Sequence, residues 1–214
     1  MLTMNNVDVL LSSQSPRRAE LLRQIGVRFC KINAECEEVL GGDESAPDYV
    51  QRLASDKAQA GWQVATAEGL RLPVLGSDTT VACEGRILEK PSSLDEAMAM
   101  LRHLSGGVHQ VYTGVSLIYP GLEEAEYQQV TRVAKTDVWM RPISDAQIEA
   151  YWKTGEPKDK AGGYGIQGFG SAFVEKISGS FTNVVGLPLE IVVQLCEEYN
   201  IPIWQNDPNE IGEQ

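Results

Sequence analysis

Apolar positions along this chain alternate between short unbroken runs and stripes at helical spacing, a pattern that predicts strands and helices in turn. Residues 7–11 form one such run and read as a buried strand. Ser15 and Pro16 then stand as N-cap and first residue of a helix that Gly26 closes. A strand near residues 27–32 leads through the acidic turn Glu35-Cys36-Glu37-Glu38 to a helix from about Pro47 to Gly61. Residues 72–83 form the next strand, and Glu84-Gly85 reverses the chain into 86–90, a register that sets Glu89 beside Thr80 and Lys90 beside Thr79. Ser93 and Glu96 suggest a capping box for a helix ending at Gly106. Strands near 110–119 and 128–140 flank the Pro120-Gly121 turn as an antiparallel pair, and Ser144 with Gln147 caps a helix to Thr154. A glycine-rich segment to Gly170, a strand over 172–177 and a helix over 188–199 complete the order. The pattern predicts an α/β fold, a mixed twisted sheet with flanking helices in two lobes flanking a cleft. A single domain is expected over 1–205, followed by a short polar tail at 206–214.

Composition narrows the classes. The 214 residues are 43% hydrophobic and 22% charged, ordinary for a chain that buries a core. A net charge of −12 argues against a DNA or RNA partner, because binding a phosphate backbone needs a summed positive field. Local basic residues then serve one small anion. The four cysteines, Cys30, Cys36, Cys83 and Cys196, form no CxxC, and the two histidines, His103 and His109, do not join them at zinc spacing. Free thiols in a reducing cytoplasm are the simplest account. No apolar run approaches about 18 residues, so no membrane span is expected.

Against this ordinary background, three departures carry chemistry. Arg17 and Arg18 fall in the first turn of the first helix, against the positive end of its dipole, an unfavourable placement unless an anion sits there. A solvated surface pair is the plain alternative. Lys57 shares a helical stripe with Val50, Leu53, Ala54 and Ala58, so its ammonium must either snorkel past the core edge or meet an anion. Asp78 stands inside an apolar strand, where it needs a partner or a use; a local ion pair with Lys90 would satisfy the first. The glycine-rich segment 158–170 could bring backbone N–H groups to a ligand, with Lys158 and Lys160 adding charge, but it fits neither a P-loop nor a dinucleotide fingerprint.

Taken in order, Ser13, Ser15-Pro16-Arg17-Arg18, Glu37-Glu38, Lys57, Gly76-Ser77-Asp78-Thr79, Glu89-Lys90-Pro91 and the run from Lys158 to Gly168 resemble the motifs of the Maf family of nucleoside triphosphate pyrophosphatases. The resemblance covers about residues 7–199. One small departure is Ser12-Ser13 where the family commonly has Ala-Ser, which leaves the second serine in place. Membership would imply a fold similar to inosine triphosphate pyrophosphatases, with two lobes around a deep cleft, and a homodimer; with the free thiols, a cytoplasmic location is expected.

The resemblance further implies metal-assisted hydrolysis at the α-phosphorus of a nucleoside triphosphate. Asp78 resembles the family's proton acceptor, with Lys90 and Glu38 beside it as catalytic residues. Ser13, Ser15, Arg17, Arg18 and Lys57 would bind the phosphates. Glu38 and Glu89 would help hold Mg²⁺ or Mn²⁺, and metal ligation by Asp78 itself stays open. The pairing of the arginine motif with Thr79 and Gln167 resembles the branch that prefers dTTP and UTP. An amide side chain can match the O4 and N3–H edge of thymine or uracil, a pattern cytosine reverses. Either Arg17 or Arg18 could be the third selectivity residue. A Nudix hydrolase is a poor fit, because residues 18–26 carry a single carboxylate, Glu20. The remaining alternative is a nucleotide-binding regulator of septum formation with little turnover.

Overall fold

The computed structural model describes residues 6–121, 123 and 126–205; the tail expected at 206–214 lies outside them. Thirteen elements follow in the order β1 (Val9–Ser12), α1 (Pro16–Gln24), β2 (Phe29–Lys31), α2 (Ala46–Ala67), β3 (Val74–Cys83), β4 (Arg86–Leu88), α3 (Leu94–Leu104), β5 (Val108–Pro120), β6 (Tyr127–Met140), α4 (Asp145–Lys153), β7 (Val174–Ser178), α5 (Phe181–Val185) and α6 (Leu189–Glu198). The strands form one mixed seven-stranded sheet in the order β2-β1-β3-β5-β6-β7, with β4 on part of β3. This is the expected α/β class. No helix among the described residues is long and apolar enough to cross a membrane.

The sheet splits at β3. Its first half pairs in parallel with β1 as far as Ser12↔Gly76, while its last residues pair antiparallel with β4 from Val81↔Leu88 onward. Between those ladders, Ser77, Asp78, Thr79 and Thr80 have a strand neighbour only on the β5 side. The β4 register is the predicted one, set by a two-residue turn in which both Glu84 (φ 50) and Gly85 (φ 78) are left-handed. A crevice at such a point, beyond the carboxyl end of a parallel strand, is where open α/β sheets bind ligands.

Side-chain alternation on β3 and β5 divides the core. On one face, Leu75, Val115 and Leu117 join an apolar cluster beneath α1 and α6, whereas Val81 and Val111 join a second cluster beneath α3 and α4. Between the two clusters the same face carries Ser77, Thr79 and Thr113, all polar. Two apolar cores separated by a polar strip are the physical basis of the two expected lobes. The opposite face is covered by α2, whose Leu53, Ala54 and Ala58 are fully buried. That helix lies directly on the backbone, because a Cβ at Gly76 would collide with Ala54 and Ala58 and one at Gly114 with the Val50 carbonyl.

Some boundaries move. The helix expected to stop at Gly61 runs on to Ala67, and Gly61 proves to be a packing position where a Cβ would collide with Ser12. At α3 the capping box forms only by half. The Glu96 amide donates to the Ser93 hydroxyl, but the Glu96 carboxylate accepts instead from the amide and hydroxyl of Ser92. The capping box at Ser144 and Gln147 is complete. Helix α5 was not anticipated, since five residues show no helical period.

Candidate active site

A cleft of about 630 Å³ opens at the split in the sheet. Because successive side chains of a strand point to opposite faces, Asp78 turns toward α2 and Thr79 toward α1 and α5. Only the missing neighbour strand lets both reach the same cleft. Lys57 projects from α2 one turn beyond Ala54, and its carbonyl accepts a 2.6 Å hydrogen bond from Ser12 that ties the helix to the end of β1.

Lys57, not Lys90, is the partner of Asp78. Its ammonium lies 2.7 Å from Asp78 Oδ1 and 2.5 Å from Glu38 Oε1, while Lys90 Nζ stands 3.6 Å from Glu38 Oε2. The local Asp78–Lys90 ion pair considered from the sequence is therefore replaced by a chain of four charges, Asp78–Lys57–Glu38–Lys90. The Lys57 ammonium meets carboxylates instead of snorkelling to water. Asp78 is buried, and its Oδ2 makes no hydrogen bond among the described residues. Burial would lift the Glu38 carboxyl, but the hydrogen bond and charge of Lys57, with Lys90 and Arg18 behind it, hold it below its ordinary value.

The two arginines part company. Ser15 caps α1 as predicted, its Oγ accepting from the Arg18 amide at 3.5 Å. The Arg18 side chain is buried, and its guanidinium donates to the Gly186 carbonyl (2.8 Å), Ser13 Oγ (3.0 Å) and Thr79 Oγ1 (3.0 Å). All three acceptors are neutral. Burial pulls its pKa down and the charges of Asp78 and Glu38 act against that fall. A buried cation held only by neutral dipoles at a helix N-terminus is a favourable place to bind an anion. Arg17 is half-buried and reaches across the cleft to Asp159 at 3.2 Å.

The order of motifs and the whole chain point to one family. A family model described as Maf-like protein matches residues 8–199. The chain belongs to the Maf family. It is 49% identical over 202 residues to the dTTP/UTP pyrophosphatase of Saccharophagus degradans, covering 94% of this chain and 93% of that protein. It is 47% identical over 194 residues to the dTTP/UTP pyrophosphatase of Vibrio parahaemolyticus, covering 91% and 98%, and 46% identical over 193 residues to that of Pseudoalteromonas atlantica, covering 90% and 97%.

In this Maf chain the remaining candidate site residues also reach the cleft. Ser13, Ser15, Glu89, Lys90 and Gln167 line it with Arg17, Arg18, Glu38, Lys57, Asp78 and Thr79. The glycine-rich segment lines the cleft through Ile166, Gln167 and Gly168, but several of its other amides turn inward to the protein. The amides of Phe169 and Gly170 donate inward to the Glu156 carboxylate (2.8 and 3.0 Å), that of Gly165 to the Tyr151 hydroxyl (3.1 Å), and that of Gly162 to the Glu89 carbonyl (3.1 Å). Lys158 sits over the Trp152 ring, 5.3 Å from its centroid, and Lys160 binds Asp159 and the Glu156 carbonyl. Burial would lift Glu156, but the Gly170 amide, the Tyr151 hydroxyl and the Phe169 amide hold it low. Glu156, Tyr151 and Gly186 are contributors that sequence reasoning missed, and Asp159 stood in the quoted motif without a role; the only trace of the first is an acid just before a run of glycines.

Neither histidine lines the cleft. His109 is buried with Nε2 2.7 Å from the Tyr164 hydroxyl, and His103 stands 3.7 Å from Glu84. The four cysteines are free thiols. No group of three His, Cys, Asp or Glu side chains among the described residues is already drawn together at metal spacing. Two carboxylates nonetheless converge on a single cation, the Lys57 ammonium, at the cleft wall. Oxygen donors in that arrangement suit a hard divalent ion completed by phosphate oxygens.

Proposed function

We propose that this chain hydrolyses dTTP and UTP to the monophosphate and pyrophosphate. The observation that carries the reading is the charge chain Asp78–Lys57–Glu38–Lys90 facing the buried guanidinium of Arg18, held by neutral acceptors, across one cleft. It is supported by relatives at 46–49% identity named dTTP/UTP pyrophosphatase.

A triphosphate brings close to four negative charges, and the α1 N-terminus, Ser13, Ser15, Arg17, Arg18, Lys57 and Lys90 offer it donors and positive charge. Arg17 would leave Asp159 for phosphate oxygen. Asp78 Oδ2, free of hydrogen bonds, takes a proton from a water in line with the α-phosphorus. The new P–O bond forms as the bond from the α-phosphorus to its bridging oxygen breaks, and pyrophosphate leaves with both bonding electrons. Glu38 and Glu89, with Asp78, would hold Mg²⁺ or Mn²⁺, which supplies further neutralisation of phosphate charge. Gln167 would present its amide to the base edge from the glycine-rich loop.

A regulator without turnover needs the cationic residues and the Lys57–Asp78 pair, but not the second carboxylate oxygen of Asp78, left beside them without a hydrogen bond among the described residues. The reading includes a cytoplasmic enzyme acting as a homodimer. Pyrophosphate release across a panel of nucleoside triphosphates, with Mg²⁺ or Mn²⁺ added, tests it. dTTP and UTP are expected to outrun CTP, ATP and GTP, and Asp78→Asn to keep nucleotide affinity within about a few-fold while losing roughly 10²–10⁴ in kcat. No turnover on any member of the panel would favour the regulator, and wild-type turnover in Asp78→Asn would remove Asp78 from its role.

A further inference from the structure

Thr79 stands on the polar strip between the two apolar cores, with its hydroxyl in a chain of hydrogen bonds whose direction can be deduced. Thr79 Oγ1 is 3.0 Å from Arg18 Nη2, 2.9 Å from Thr113 Oγ1 and 3.4 Å from the Gly186 carbonyl. Thr113 is fully buried on the neighbouring strand, directly opposite Thr79, and its Oγ1 lies 3.1 Å from the Asn183 carbonyl.

A hydroxyl has one proton to give. The Asn183 carbonyl has no other donor among the described residues, and a buried carbonyl left unpaired is costly, so Thr113 spends its proton there. Thr113 can then only accept from Thr79. Arg18 can only donate, so it occupies one Thr79 lone pair. The chain therefore runs from the Arg18 guanidinium to Thr79, to Thr113 and to the Asn183 carbonyl. Its far end is rigid: the Asn183 amide donates to the Val111 carbonyl (3.0 Å) and to Thr136 Oγ1 (2.8 Å), fixing α5 against β5 and β6.

We infer that Thr113, which does not line the cleft, is a positioning residue for base selection: it commits Thr79 to act only as an acceptor toward the ligand. This rests on the pyrimidine reading above and refines it. Uracil and thymine carry a donor at N3–H, whereas cytosine presents a bare lone pair at N3. A Thr79 that can only accept takes N3–H of uracil or thymine, leaving the Gln167 amide to donate to O4, and sets two lone pairs against each other with cytosine. Discrimination by an unpaired polar contact exceeds what pocket shape supplies for bases of nearly equal size.

The experiment compares kcat/KM for UTP and CTP, by pyrophosphate release, in wild type, Thr113→Val and Thr113→Ser. Valine keeps the shape but removes the near acceptor, leaving the Thr79 proton only the long 3.4 Å contact to the Gly186 carbonyl, so that it can turn to the cytosine lone pair. The UTP-to-CTP ratio is expected to fall at least about ten-fold, chiefly through a gain on CTP, while serine restores the wild-type ratio. A merely structural role for Thr113 would lower both substrates together and leave the ratio unmoved. Should the valine variant fail to fold, Thr113→Cys, with its weak thiol acceptor, is expected to give an intermediate ratio. A wild type that turns over neither UTP nor dTTP would overturn the reading of the site itself. A wild type that prefers UTP, with the ratio unchanged in whichever variant folds, would overturn this inference alone.

Discussion

Lys57→Met is the sharpest test of the charge chain, because it keeps most of the aliphatic stem and deletes only the ammonium. At 2.7 Å the attraction between Lys57 and Asp78 is about 6 kcal/mol at an effective dielectric constant near 20 and about 1.5 kcal/mol in water. Their side chains are 13% and 9% exposed, so the cost of desolvation offsets much of that gain. Removing one partner leaves the cost without the gain. For a buried pair this amounts to about 3–5 kcal/mol, and the lower end applies because the cleft admits water beside Asp78. Glu38 is 42% exposed, so solvent screens its attraction to Lys57 and it adds little. A loss of about 3 kcal/mol in a chain of this length lowers Tm by roughly 6–12 °C, measurable by scanning calorimetry. Asp78→Asn should cost less, about 1–2 kcal/mol, because Lys57 retains Glu38. The double variant removes both buried charges and should recover about 2 kcal/mol relative to Lys57→Met. Two results would refute the reasoning: Lys57→Met melting within about 2 °C of wild type, or a double variant melting below Lys57→Met.

Four further outcomes are expected. Arg18→Ala and Lys90→Ala should each lower kcat/KM for UTP by roughly 10² or more, and an effect on Tm alone would leave them structural. Gln167→Glu should narrow the lead of dTTP and UTP over CTP more than it lowers the maximal rate; an unchanged ranking would exclude Gln167 from base selection. Glu156→Gln sets an amide donor against one of the three donors that now converge on the carboxylate, so substrate ranking should loosen along with a modest fall in Tm; a fall in Tm with the ranking intact would limit Glu156 to stability. Burial lowers the His109 pKa to about 4 from 6.5, so between those values the unfolded chain takes up a proton that the folded chain refuses. That stability is complete above pH 6.5 and is lost on acidification, about 2 kcal/mol or roughly 4–8 °C between pH 7 and 5. His109→Gln should show a flatter Tm over that range, and an equal slope would show that other groups set the acid limb.

Features that depend on neighbours along the chain are legible in the sequence. Period and punctuation give the element order. Ser15 and Pro16 start α1 because the cap and the fixed φ are local effects, and the two-residue turn at Glu84-Gly85 sets the β4 register because a hairpin allows little else. The family motifs bring the candidate residues into view one by one, and the structure gathers all of them around one cleft. Tertiary structure alone decided who partners whom. Lys57 and Asp78 stand 21 positions apart on different elements, and only the close seating of α2 on Gly76 and Gly114 sets their ends 2.7 Å apart. The same limit hid the acceptors of Arg18, since Thr79 and Gly186 are supplied by β3 and the end of α5, and the pairing of Arg17 with Asp159. It also hid Glu156, which gathers amides that the sequence left free to face a ligand. Periodicity says which face of an element is buried, but the partner across a buried face depends on how two elements pack, and that is a property of the assembled sheet.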